Sequence, residues 1–98
     1  MQINVSGEHG AVDTRTRAYV EYRVFDRLRE VEHDVRDVEV SLHRSADRSM
    51  RAGVTCRVTA RLAGGGVITS TANADWPYKA IDEAVRALTT RVPAAAAV

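Results

Sequence analysis

Alternation of apolar and polar positions marks four stretches of the chain, and helical spacing marks two. In Gln2-Ile3-Asn4-Val5-Ser6 the apolar residues Ile3 and Val5 share one face, and Gly7 closes the run. Val38-Glu39-Val40-Ser41-Leu42-His43 repeats the pattern with Val38, Val40 and Leu42 inward. The longest alternation sets Val54, Cys56, Val58, Ala60 and Leu62 against Thr55, Arg57, Thr59 and Arg61. Gly64-Gly65-Gly66 breaks it and predicts a hairpin with positive φ. Val67 to Asn73 follows as a strand of β-branched and small residues, with Ile68, Ser70 and Ala72 expected inward. Those small side chains allow a helix to approach closely.

Between the first two strands, Val20, Val24, Leu28 and Val31, joined by Phe25, form one apolar stripe at helical spacing. Asp13 or Thr14 can cap this helix through a side-chain oxygen, and it is expected from about Thr14 to about Glu32. A second helix is expected after Asp75-Trp76-Pro77. Asp75 is placed to cap it, and a proline in the first turn lacks only a donor that would be unpaired anyway. Its stripe is Tyr78, Ile81, Val85 and Leu88, with Ala84 beside them. Residues 8–12 are read as a connection and Arg44 to Ser49 as a polar loop. Residues 1–92 are read as one domain, with a flexible alanine-rich tail over residues 93–98.

The order β-α-β-β-β-α predicts an α+β fold, a two-layer sandwich with a four-stranded mixed sheet and two helices on one face. The last three strands can form an antiparallel meander. The first can lie parallel to the second through a right-handed helical crossover. Both helices must bury a stripe, so they cover the same face. Glu39, Ser41, His43, Thr55, Arg57, Thr59 and Arg61 then lie on the open, wet face.

Composition narrows the function classes. Ninety-eight residues make one domain. Aromatics are only 5%, so the core is expected to be Val, Leu, Ile and Ala. Net charge is +1, too little for a strong global field toward nucleic acid. Of 14 basic residues only Lys79 is lysine. Arginine's planar fork suits phosphate and carboxylate and stacks on bases, and arginine is also the default cation of a GC-rich genome. The single Cys56 excludes an intrachain disulfide and fits a reducing compartment. The start Met1-Gln2-Ile3-Asn4-Val5 lacks the pattern of a signal peptide, and no apolar run spans a membrane. A cytoplasmic location is expected.

Catalytic and metal chemistry find no support. His9, His33 and His43 share no ligand spacing with one another or with Cys56. Cys56 faces inward, where a thiol packs as a small hydrophobe. Asp82 and Glu83 lie early in a helix, where negative charge suits the dipole. The three glycines lack the lysine and serine of a phosphate loop. No nucleophile–base pair or cofactor loop is present, so the expectation is no enzyme, no metal and no cofactor. Arginine on the first helix and on the open sheet face is the remaining candidate. Arg15, Arg17, Arg23, Arg27 and Arg29 are interleaved with Glu21, Asp26, Glu30 and Glu32, and several can simply pair at i, i+4.

The chain is similar to a known family. Met1-Gln2-Ile3-Asn4-Val5-Ser6-Gly7 resembles the start of the ribosome hibernation-promoting factors, or ribosome-associated inhibitors, the sigma 54 modulation protein/S30EA-like group. Val12-Asp13 followed by Arg17-Ala18-Tyr19-Val20-Glu21 resembles their first helix, and Val38 to Leu42 their second strand. Tyr78-Lys79-Ala80-Ile81-Asp82 is similar to their second-helix signature, with Leu88 in step. The resemblance covers about residues 1–92 and is to the short form.

It implies the same sandwich, similar to double-stranded RNA-binding domains. It also implies a non-enzymatic stress-response factor that binds the small ribosomal subunit near the decoding centre and blocks messenger and transfer RNA. By helix placement, Arg23, Arg27, Lys79, Arg86 and Arg91 are the expected contacts to ribosomal RNA phosphate. Two departures stand out. Trp76 occupies the position where the family usually has aspartate. Thr89-Thr90-Arg91-Val92-Pro93 carries one cation where the family has a lysine- and arginine-rich run. Fewer phosphate contacts weaken binding, each lowering the salt slope by about 0.7 to 0.9. The alternative is a diverged paralogue that keeps the fold and binds a protein partner or itself, without ribosome binding.

Overall fold

The computed structural model describes residues 1–7, 12–44 and 53–96. Most of the expected 8–12 connection, His9 within it, the 45–49 loop and the last residues of the expected tail lie outside the described residues. The elements are β1 (Gln2–Gly7), α1 (Thr14–Leu28), a 3-10 segment (Arg29–Asp34), β2 (Val35–Arg44), β3 (Val54–Leu62), β4 (Val67–Ala74) and α2 (Pro77–Ala96). The architecture is the expected α+β sandwich, with one mixed sheet in the order β1-β2-β3-β4. β1 is parallel to β2, with Ile3 opposite Val38 and Val5 opposite Val40. β2–β3 and β3–β4 are antiparallel.

Alternation decides which side of each strand is dry. Val38, Val40 and Leu42 of β2, Val54 to Leu62 at every second residue of β3, and Ile68 and Ser70 of β4 are buried. A register shift between Val35 and Asp37 changes this locally. Three residues separate Val35 from Val38, which regular alternation would place on opposite faces; the bulge keeps both inward. The β3–β4 turn closes through Gly65 N–H to Leu62 O at 2.9 Å and Leu62 N–H to Gly66 O at 2.7 Å. Gly65 takes φ +102°, a conformation that favours glycine.

Asp13 caps α1: its carboxylate accepts from Thr16 N–H at 2.7 Å. That hydrogen bond holds the Asp13 carboxyl below its ordinary pKa. Val20, Val24 and Leu28 are fully buried. The helix stops at Leu28, short of the expected Glu32. Val31 leaves helical geometry at φ −117°, ψ 16°, and the chain passes through a 3-10 segment. The sheet overrides the periodicity here, because Val35 is needed in β2 opposite Leu62. Phe25, expected inward, is 51% exposed. It lies one residue, or about 100°, beyond Val24 and off the stripe.

α2 departs from expectation at both ends. Ala80 N–H donates to Trp76 O at 3.1 Å, so Trp76 occupies the cap position and the Asp75 carboxylate holds no N–H of the first turn. At the other end the helix runs through Pro93 to Ala96, where the sequence predicted a tail. Proline removes one backbone bond there, while Val92 is fully buried and anchors the last turns. Ala80, Ile81, Ala84, Val85 and Leu88 form the buried stripe. Tyr78, also expected inward, is 43% exposed because its ring lies at the seam between the helices.

Candidate nucleic-acid interface

β2 and β4 both run antiparallel to β3, and each helix packs back across the same sheet face, so α1 and α2 point the same way. Their seam has a readable register. Tyr19 stacks on Tyr78 with centroids 4.2 Å apart and rings inclined by 22°. One turn on, Arg23 Nε donates to Asp82 Oδ1 at 2.7 Å, and Tyr19 O–H donates to the same oxygen at 2.7 Å. Loss of water around the Tyr19 phenol, then its bond to the Asp82 carboxylate, pushes its pKa up. The same carboxylate holds the Arg23 guanidinium firmly charged.

Stepping four residues along each parallel helix takes Tyr19/Tyr78 to Arg23/Asp82, and the next step is Arg27/Arg86. By spacing alone, this third step pairs two cations. Both residues are exposed, and neither makes an ion pair among the described residues. Like charges near one another repel, and a phosphate oxygen that both forks can reach relieves that repulsion.

The five expected contact residues therefore separate. Arg27 and Arg86 are both exposed. Lys79 is exposed, seven residues and about 10 Å before Arg86 on the same face of α2. Arg23 is not available: its side chain is 23% exposed and committed to Asp82. Arg91 is engaged as well, with Nη1 donating to Thr69 O of β4 at 2.6 Å. The resemblance in helix placement suggested all five, and nothing local in the sequence reveals these two partners, which lie 59 and 22 residues away.

On the open sheet face Arg61 is bound to Asp37 at 3.5 Å and Glu39 at 3.3 Å. Arg57 is exposed beside a groove lined by Asn4, Ser6, Glu39, Ser41 and Thr59. Among the described residues no three of His, Cys, Asp and Glu gather as metal ligands. Burial pushes the Cys56 thiol up to about 12, which leaves it un-ionised at neutral pH. No described helix is long and apolar enough to cross a membrane.

Comparison with known proteins follows this geometry. The family described as Sigma 54 modulation protein / S30EA ribosomal protein matches residues 3–94. A structure of a ribosomal subunit interface protein from Coxiella burnetii superposes with a TM-score of 0.81 at 18% identity, covering 100% of both chains. The crystal structure of the Thermus thermophilus Protein Y N-terminal domain superposes with a TM-score of 0.70 at 24% identity, covering 94% of this chain and 96% of that one. At these identities the likeness is one of fold. Comparison with curated proteins by sequence gives no match.

Proposed function

The chain belongs to the Sigma 54 modulation protein / S30EA ribosomal protein family, and on that premise we propose that it is a ribosome-associated translation inhibitor. It binds ribosomal RNA of the small subunit near the decoding centre, in the cytoplasm. It acts by occupying the path of messenger and transfer RNA, with no catalytic step. The observation that carries the phosphate-binding part is that Arg27 and Arg86, one four-residue step beyond the Arg23–Asp82 bond on each helix, are exposed and make no ion pair among the described residues. Lys79 extends the same positive edge.

The mechanism follows from the rigidity of that edge. Both helices are pinned to the sheet by fully buried stripes. The cations are thus presented on a fixed frame, and little ordering of backbone is needed on binding. Arginine forks grip phosphate oxygens in bidentate fashion.

Co-sedimentation with purified small subunits over a salt series tests this. Wild-type protein is expected to pellet at low salt. Arg27→Glu combined with Arg86→Glu is expected to abolish pelleting with the fold intact. Protein that stays in the supernatant even at low salt overturns the ribosome reading, and unchanged pelleting of the double variant overturns the site. The diversion of Arg23 and Arg91 into structural bonds favours a second reading, a diverged paralogue that binds a protein or itself. A strictly monomeric protein with no protein partner counts against it.

A further inference from the structure

Among the described residues the buried hydrophobic core is aliphatic apart from Cys56, and the five aromatic residues lie outside it, with Tyr19 packed against its edge. Large rings normally supply much of a small domain's burial. Here Tyr22 is 62% exposed and Phe25 is 51% exposed, in neighbouring positions of α1. Neither belongs to the helix seam, which is built from Tyr19 and Arg23. On the helix, Tyr22 lies roughly opposite the buried Val20 and Val24, and Phe25 lies about 60° round from Tyr22 on the flank of that face.

Their neighbours are as informative as the rings. Arg15 and Tyr22 are seven residues apart, nearly in line and about 10 Å along α1, and Arg29 follows seven residues on as the residue that ends the helix. Arg15 and Arg29 are exposed and make no ion pair among the described residues. Ala18 and Phe25 fill the adjacent row, and the exposed acids Glu21 and Asp26 flank that face on either side. Two flat apolar surfaces bracketed by two cations match an anionic strand with accessible bases. Bases stack on the rings, and the flanking phosphates meet the arginines. A protein partner would be served by the rings alone, and nothing in its chemistry requires a cation at each end.

We propose that the outer face of α1, centred on Tyr22 and Phe25 and bracketed by Arg15 and Arg29, is a stacking platform for unpaired bases of RNA. It is a second contact, separate from the phosphate-binding Arg27 and Arg86, and it rests on the ribosome reading only for the identity of that RNA. Stacking depends little on salt, whereas the arginine contacts depend on it strongly.

The test uses the full chain, a fluorescein-labelled twelve-nucleotide oligoadenylate, its duplex with oligouridylate, and purified small subunits. Wild type is expected to bind the single strand more tightly than the duplex. Tyr22→Ala with Phe25→Ala is expected to weaken single-strand binding at least about tenfold with an unchanged salt slope. Tyr22→Trp is expected to bind at least as tightly as wild type. Arg15→Gln with Arg29→Gln is expected to lower the salt slope by about 1.4.

Circular dichroism and Tm confirm that the variants fold, as exposed positions allow. Wild type that fails to bind the single strand overturns the platform, as does a double alanine variant that binds it undiminished. Loss of subunit pelleting with undiminished oligonucleotide binding overturns it in favour of a protein contact. Failure of the ribosome reading is a different result: wild type binds the single strand and does not pellet with subunits.

Discussion

At the seam between the helices, Tyr19 is stacked on Tyr78 and Arg23 is tied to Asp82. On the outer face of the same helix, Tyr22 and Phe25 hold exposed rings, and Arg15 and Arg29 at its two ends make no ion pair among the described residues. The residue types are the same and the helix is the same. The difference is what lies opposite: α2 supplies a ring and a carboxylate at the seam, and the outer-face rings stay exposed among the described residues. Aromatic and arginine side chains at the seam are therefore assembled into the fold, while those outside it are free to meet a partner. An arginine count cannot separate the two, and a partner map can.

Seam and outer face should part most widely in Leu28→Ala against Phe25→Ala, three residues apart. Leu28 is fully buried, and its truncation is expected to cost about 2–5 kcal/mol. Phe25→Ala is expected to stay within about 0.5 kcal/mol, as surface changes do. Comparable losses in urea unfolding would show that the outer face is structural after all.

Removing the seam's acceptor comes next. Asp82→Ala leaves the Tyr19 hydroxyl and the Arg23 guanidinium without their shared partner. The Asp82 side chain is 38% exposed, so water compensates in part and the expected cost is about 1–2 kcal/mol. At about 4–8 °C per kcal/mol, calorimetry resolves that easily. A Tm within a degree of wild type would contradict the seam's structural role.

The interior makes its own claim through Cys56. Its folded pKa, about 12, lies above the unfolded value of 9.0. The neutral thiol thus contributes fully below pH 9 and its contribution is lost as pH rises from 9 toward 12. At pH 10 the loss is about 1.4 kcal/mol. Unfolding curves at pH 8 and pH 10, in wild type and Cys56→Ala, isolate this share. An identical pH dependence in both proteins would refute it. The smallest expected effect is that of Arg27→Glu alone. It puts a carboxylate at the negative end of the α1 dipole, where Arg27 is the basic residue of the last turn, and is expected to cost at most about 0.5 kcal/mol while weakening subunit binding. Undiminished co-sedimentation of this variant would remove Arg27 from the site.

Much of the fold was legible in the sequence because it rests on local periodicity. Val54 to Leu62 alternates without a fault and became β3. Asp13 stood where a cap was needed and caps α1. Periodicity misled where long-range contacts intervene. Val31 continues the helical spacing, yet the helix ends at Leu28 so that Val35 can enter the sheet. Tyr78 keeps step with Ile81, yet its ring is drawn to Tyr19 at the seam. Asp82 read as a carboxylate placed for the helix dipole, and it is the acceptor of two side chains some sixty residues away. Of the expected RNA contacts, sequence placed Arg27, Lys79 and Arg86 on exposed helix surface. It could not tell that Arg23 and Arg91 had partners of their own.

The Arg91 bond has one more consequence. β4 is an edge strand, and Val67, Thr69 and Thr71 on it are exposed and β-branched. Such an edge is a template on which another chain can add a strand, leading to edge-to-edge aggregation. The Arg91 guanidinium occupies the Thr69 carbonyl and sets a charge along that edge. A cation that the family resemblance assigned to RNA thus serves as a guard on the sheet, obstructing polymerisation of the chain with itself.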